Sequence, residues 1–376
     1  MSTNLSRRRF AQGAAALGLL PVIAACGGSD DPPPVETSYV ASVEALMAKY
    51  HLPGVLAGVR VAGRAQWTRA FGQANLASQT PLALDSTFPI RSVTKSYTCT
   101  ALLQLVREAQ LTLDDKIGRY IAGVPNGDLI SLADLAGMQS GLADYSSADG
   151  FLQIFIADTL HVWTEAELVA FGLAEEPDFQ PGAQYEYSNT NTVLLGMVIE
   201  AVTGQPFGEA LQARIFTPKQ LTGTRYPAVA TLPAPSPTPY SVNVNSGVAD
   251  EQPLISPTSL AGAGAISSTL ADLLDWGDEL GSGSLIGTSL QDLRKSRSRA
   301  VTNGPEYDRY GLGIGQIGDW WGHTGSGVGF QIATMNLAAR GATISVMVNA
   351  TPDGARRDLN FAQEVFEGLA SAVTAS

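Results

Sequence analysis

The chain has 376 residues, 45% of them hydrophobic and 15% charged, a balance that suits a compact globular protein and argues against a disordered one. Its length allows one large core or two joined subdomains. With a formal net charge of -12 and no basic cluster of note after the N-terminus, nucleic acid is a poor partner; Arg294, Lys295, Arg297 and Arg299 come nearest, and they read as a solvated helix face.

The first element is a targeting segment. Ser6-Arg7-Arg8-Arg9-Phe10 is a twin-arginine pattern, and the apolar run from Ala14 to Ala25 is too short and too rich in Ala and Gly to span a membrane as a helix. The run stops at Ile23-Ala24-Ala25-Cys26, which resembles the lipobox of bacterial lipoproteins and makes Cys26 the lipid attachment point. An ordinary cleaved signal with a chance cysteine is the alternative. The expected organisation is an export signal over 1–25, a Gly/Pro-rich tether over 26–37 and a folded domain over 38–376. Such a protein sits at the periplasmic face of a membrane, held there only by its lipid.

Helical periodicity opens the domain from Ser38 to Tyr50, with Val40, Val43, Leu46 and Met47 on one face. Strands follow at Val55–Val61 and Gln66–Phe71, joined by a turn at Ala62-Gly63-Arg64. A helical run from Ser96 to Glu108 carries Cys99 as a small buried group. With Cys26 lipidated, Cys99 has no disulfide partner. From Ser92 to about Leu290 the chain reads as helix and loop, and Pro227 to Pro257 reads as a long irregular excursion. Gly311–Ile317, Phe330–Asn336 and Thr343–Asn349 read as strands, and Asp358 to Val373 as a closing helix. The expected fold is α/β: an antiparallel sheet built from both chain ends and flanked by the terminal helices. A mostly helical subdomain over about 92–290 is inserted, with a cleft where the parts meet.

Three segments carry chemistry. In Ser92-Val93-Thr94-Lys95 the hydroxyl and the amine fall one helical turn apart, so a lysine of lowered pKa can take the serine's proton. The start of a helix also leaves backbone N–H groups free to hold an oxyanion. In Tyr187-Ser188-Asn189 a tyrosine near a lysine cation can serve as a phenolate base, and the amide can donate to a substrate carbonyl. In His323-Thr324-Gly325-Ser326-Gly327 a glycine-bearing strand lets a substrate lie close and pair edge-on. Each segment alone has an ordinary explanation: a chance Ser–Lys spacing, a turn after Pro181-Gly182, a glycine-rich hairpin. The three histidines, His51, His161 and His323, are far apart in sequence and suggest no zinc cluster. No metal or cofactor is expected.

Taken in order, Ser-x-x-Lys, Tyr-Ser-Asn and His-Thr-Gly resemble the motifs of the penicillin-recognising serine hydrolases. That family includes class C β-lactamases, D-alanyl-D-alanine carboxypeptidases and related esterases, all with the β-lactamase/transpeptidase-like fold. Asp85-Ser86-Thr87-Phe88, Leu111-Thr112-Leu113-Asp114-Asp115, Ser140-Gly141-Leu142 and Tyr310-Gly311-Leu312-Gly313 extend the resemblance over most of the chain. The resemblance implies that Ser92 forms an acyl-enzyme, that Lys95 and Tyr187 move the proton and that Asn189 holds the substrate amide. It implies that His323, Thr324 and Gly325 line the strand side, and that the N–H groups of Ser92 and Ser326 form the oxyanion hole.

The substrate is then a small molecule or peptide, with a D-Ala-D-Ala carboxypeptidase-like or β-lactamase-related activity as the first expectation. His323 stands where typical β-lactamases have Lys. A half-charged imidazole there would make deacylation vary across the imidazole titration range. Gly315-Gln316-Ile317 follows where related carboxypeptidases tend to place an Arg for the substrate carboxylate, which keeps an esterase or amidase acting on small esters or D-amino-acid peptides in play. Arg309 lies just before. No Gly-x-Ser-x-Gly elbow occurs. A non-catalytic lipoprotein that binds cell-wall peptide would be expected to lack one of Ser92, Lys95 or Tyr187, and all three are present.

Overall fold

The computed structural model describes residues 35–375 apart from 228, 302–306, 355, 357 and 358. The twin-arginine pattern and Cys26 lie outside the described residues. Residues from Val35 onward form one compact unit. Its first helix, α1, covers Val35–Tyr50 and so starts ahead of the expected Ser38.

The strands, in chain order, begin with β1 (Gly54–Val61), β2 (Trp67–Asn75), β3 (Thr80–Pro81) and β4 (Phe88–Pro89). Next come β5 (Tyr240–Val242), β6 (Ala249–Glu251), β7 (Ser267–Ser268), β8 (Arg299–Ala300) and β9 (Arg309–Tyr310). The last are β10 (Gly315–Ile317), β11 (Trp320–Gly327), β12 (Phe330–Leu337), β13 (Ala342–Val348) and β14 (Ala350–Pro352). Among the described residues nine of them form one antiparallel sheet in the order β3-β2-β1-β13-β12-β11-β10-β9-β8. The two chain ends meet at the β1–β13 seam, where Val55 faces Val348 and Val61 faces Ala342. This is the expected sheet.

Side chains alternate across its two faces, as strand geometry requires. Val55, Ala57, Val59, Ile344 and Val346 point into a core shared with Tyr39 and Val43 of α1 and with Phe361 and Val365 of the closing helix Phe361–Ala375. Leu56, Ile332 and Met347 point the other way, into the larger core of the helical region. Burial on both faces explains why these strands are nearly continuous apolar runs.

In the helical region, α2 (Thr94–Arg107) is buried over almost its whole length. The Tyr97 ring stacks on Trp276 at 3.7 Å, and the Trp276 indole donates to Ser96 Oγ at 2.8 Å. Burial pushes the Cys99 thiol up to about 12, so it stays a packed thiol, as its position suggested.

Three expectations are corrected. Arg294 is not on a solvated face but fully buried, donating to Leu312 O, Thr100 Oγ1 and Ser96 O at 3.0–3.2 Å. Those acceptors replace the water that a guanidinium loses on burial. Pro227–Pro257 is not wholly irregular: β5 and β6 pair there, and β5 also lies parallel to β14. Gly311–Ile317 is not one strand, because the chain turns at Gly313 (φ +72°), where a Cβ would sit 2.4 Å from the Cys99 Cβ. The turn presses this segment onto α2, against Cys99 and the Lys95 carbonyl.

Candidate active site

Ser92 sits in a single 3-10 turn, Arg91–Val93, that runs straight into α2. Arg91, just before it, has φ +50°, a left-handed conformation that costs a side-chain-bearing residue about 1–2 kcal/mol. Its buried guanidinium offsets that strain by donating to Gly327 O and Val328 O, both at 3.0 Å. The turn is thereby clamped to the β11–β12 hairpin. Gly325 of β11 completes the approach, since a Cβ there would lie 2.4 Å from Ile90 O and 3.1 Å from Ser92 N. Gly325→Ala is expected to lower kcat about 100-fold, the cost of misplacing reacting groups by about 1 Å, with a much smaller change in melting temperature. Steady-state kinetics beside a thermal melt check this.

The Lys95 amine is fully buried one turn below Ser92 and lies 3.0 Å from Ser92 Oγ. It also donates to Asn189 Oδ1 at 2.7 Å and to Ala263 O at 2.8 Å. Loss of hydration lowers its pKa to about 7, against the opposing pull of Asp144. The three neighbours are unequal. Asn189 Oδ1 and Ala263 O can only accept, so they take the two hydrogens of a neutral amine and leave its lone pair for the Ser92 hydroxyl.

Tyr187 packs its ring 4.9 Å from Lys95 Nζ, and its hydroxyl interacts with Ser92. Burial holds this phenol well above its ordinary pKa, so the expected phenolate is replaced by a neutral hydroxyl that can only relay a proton. Asn189 opens the helix Asn189–Thr203. Its Nδ2 donates to Asp144 Oδ2 at 3.0 Å and to Ser146 Oγ at 3.1 Å. Both amide hydrogens are thus used inside the protein. In place of the expected substrate amide, Asn189 grips Lys95 on one side and Asp144 on the other.

His323 is corrected most. It is buried, with Nε2 3.0 Å from Tyr310 OH and Nδ1 3.2 Å from Tyr307 OH. Desolvation, followed by the nearby Lys95 cation, lowers its pKa to about 3, so it is neutral throughout the range where an imidazole was expected to titrate. Thr324 N–H donates to Tyr307 OH at 2.7 Å. Amides two apart on a strand point to the same edge, so Ser326 N–H faces the same side, next to Ser92.

A cleft of about 290 Å³ brings together Ser92, Tyr187, Asn189, His323, Thr324, Gly325 and Ser326, with Lys95 beneath. Asp144 and Tyr307 also line it, and the sequence reading had not singled out either. A lone Asp and a lone Tyr outside any motif give no local signal, nor does the Ala263 carbonyl that receives Lys95. A second, more open hollow of about 750 Å³ adjoins through Asp144 and Tyr187, and Asp149, Glu175, Asp178 and Glu186 also line it. Among the described residues no group of His, Cys, Asp and Glu is placed to hold a metal ion.

Comparison with known proteins matches residues 40–366 to the family model described as Beta-lactamase. The D-aminopeptidase of Brucella anthropi is 34% identical over 179 residues, covering 47% of this chain and 34% of the relative. That of Gluconobacter oxydans is 29% identical over 243 residues, covering 63% and 44%. The chain therefore spans well under two thirds of the length of these curated relatives. A D-stereospecific amidohydrolase from Streptomyces sp. superposes with a TM-score of 0.76 at 30% identity, covering 89% of this chain and 98% of that one. The D-amino acid amidase of Ochrobactrum anthropi SV3, solved with L-phenylalanine amide, superposes with a TM-score of 0.81 at 22% identity, covering 91% and 99%, a likeness of fold.

Proposed function

The chain belongs to the beta-lactamase family of serine hydrolases, and from that premise we propose that it is an amidase acting on D-amino acid amides and short D-amino-acid peptides, with Ser92 as nucleophile. One observation carries this reading: the cleft is lined by the Asp144 carboxylate and, among the described residues, by no side-chain cation. Such a rim attracts a substrate's free ammonium group and repels a carboxylate. The D-aminopeptidase and amidohydrolase relatives support the same choice over a carboxypeptidase or a dedicated β-lactamase.

In the proposed reaction Ser92 Oγ attacks the carbonyl carbon while its proton passes to the Lys95 amine. The N–H groups of Ser92 and Ser326 hold the oxyanion. The C–N bond then breaks as the leaving nitrogen takes a proton from the Tyr187 hydroxyl, and the Lys95 ammonium gives the proton it took from Ser92 to the Tyr187 oxygen, which leaves both groups neutral. Water attacks the resulting ester by the reverse path, releasing the acid. Asn189 and Asp144 keep Lys95 in register.

A panel of D-phenylalanine amide, its L-enantiomer, an acyl-D-Ala-D-Ala peptide, a chromogenic cephalosporin and a neutral aryl ester tests this. The D-amide should be turned over at least about tenfold faster than the L-amide and faster than either carboxylate-bearing substrate. Faster turnover of the cephalosporin or the acyl-D-Ala-D-Ala peptide would falsify the reading.

We further propose that the protein is exported and tethered through Cys26, on the strength of Arg7-Arg8-Arg9 and the small residues before the cysteine. Cys26→Ser should move the protein from the detergent phase to the aqueous phase; unchanged partitioning removes the tether.

A further inference from the structure

Tyr307 occupies an unusual position on the rim. Its hydroxyl lies 2.7 Å from Thr324 N, 2.7 Å from Thr324 Oγ1 and 3.2 Å from His323 Nδ1. Three polar atoms of β11 therefore converge on one phenolic oxygen. That oxygen sits on the strand edge that also bears Ser326 N–H, two residues further along, about the reach of one more residue and its terminal carboxylate.

The ring has space made for it. A Cβ on Gly315 would lie 2.2 Å from the Tyr307 ring, so the glycine that breaks the expectation of a carboxylate-holding arginine is what lets a tyrosine lie there instead. The ring is 7% exposed and packs at 5.6 Å from Tyr310. It is part of the wall, not a surface side chain. A second observation is independent of this contact. Asp144 faces the same cleft, and His323 beneath is neutral, so an entering carboxylate meets one like charge and no side-chain cation among the described lining residues.

We propose that Tyr307 is a specificity-determining residue: its hydroxyl occupies the strand-edge position that a substrate's free carboxylate would need, and so restricts the site to substrates that carry an amide or ester there. This rests on the amidase reading and sharpens it. A substrate oxygen can reach Thr324 only by displacing the phenol, and a carboxylate that does so gains no counter-ion. One that stays outside forfeits a charge-assisted hydrogen bond, a loss on the order of ten- to a hundredfold in kcat/KM. Neutral amides and esters lose far less, because they bring no charge to be solvated.

The test compares D-alanyl-D-alanine with D-alanyl-D-alaninamide by cleavage of the peptide bond they share, read as release of D-alanine or of D-alaninamide by chromatography, with loss of ammonia from the terminal carboxamide counted separately. Ser92 is followed in parallel with a fluorescent phosphonate that reacts with activated serines. Wild type should favour the amide by about tenfold or more in kcat/KM. Tyr307→Phe keeps the ring and removes the hydroxyl; Tyr307→Ala opens the edge. Either should lower that ratio at least about threefold, with the gain falling on the carboxylate form, while thermal melts track folding. A wild-type ratio near one with Ser92 still labelled, or a ratio unmoved in both variants, overturns the role of Tyr307 and leaves the amidase reading standing. Absence of Ser92 labelling in the wild type removes the nucleophile itself, and this inference with it.

Discussion

Ser92→Ala is expected to lower turnover of D-amino acid amides by about 10⁴-fold or more while the protein folds normally. The size follows from the chemistry, because Ser92 is the cleft-lining hydroxyl that the Lys95 amine reaches, at 3.0 Å. Tyr187 is a neutral phenol held well above its ordinary pKa, and Cys99 is buried within α2 with its thiol pushed up to about 12. Folding should survive because the turn is held by Arg91 and by the Gly325 contact, neither of which uses the serine hydroxyl. Single-turnover assays and phosphonate labelling measure the effect. Turnover within tenfold of wild type would mean that the acyl-enzyme forms elsewhere.

The pH dependence gives the second large effect. With a neutral aryl ester as substrate, so that only the enzyme titrates, kcat/KM should rise with pH through about 7 and then level off. Burial lowers the Lys95 pKa to about 7, so below that value the ammonium has no lone pair for the Ser92 proton, and above it the amine does. His323 adds nothing to this limb, because it is neutral above about pH 3. Removing the negative charge in Asp144→Asn should move the limb to lower pH, since Asp144 raises the Lys95 pKa. Lys95→Arg, a permanent cation, should lose about 10²–10⁴-fold at every pH tested. A profile flat from pH 5 to 9, or a limb that persists in Lys95→Arg, would sink Lys95 as the base.

How far the sequence led depends on what kind of group each residue offers. Ser92, Lys95, Tyr187 and His323 were legible because a side-chain nucleophile, a base and a strand motif leave letters at fixed spacings. Their states were not. That Lys95 is fully enclosed and that Tyr187 keeps its proton are consequences of packing between segments more than ninety residues apart, and that His323 lies behind two tyrosines follows from how the 307–323 segment folds back on itself. Asp144 and Ala263 escaped notice for different reasons. A single carboxylate in a loop has no periodicity, and a backbone carbonyl has no letter at all. The antiparallel sheet was readable from the apolar runs at both ends, whereas β5 and β6 were not, because each is three residues long and the β14 strand that β5 pairs with lies more than a hundred residues along the chain. Arg294 misled because four cations in a row of six suggest water; its acceptors come from α2 and the 311–314 turn.

The β1–β13 seam has a consequence for how the molecule comes into being. Val55 pairs with Phe71 on one side, but its partner on the other side is Val348, so the first hairpin stays half-covered until β13 has been made. Pairings this distant close slowly and leave unpaired strand edges open to aggregation in the meantime. The turn that carries Ser92 waits as well, since Arg91 is clamped by carbonyls of residues 327 and 328. Nascent chains cut short before β12 should therefore be both sticky and catalytically silent, because the turn that carries Ser92 is held only once the β11–β12 hairpin is in place.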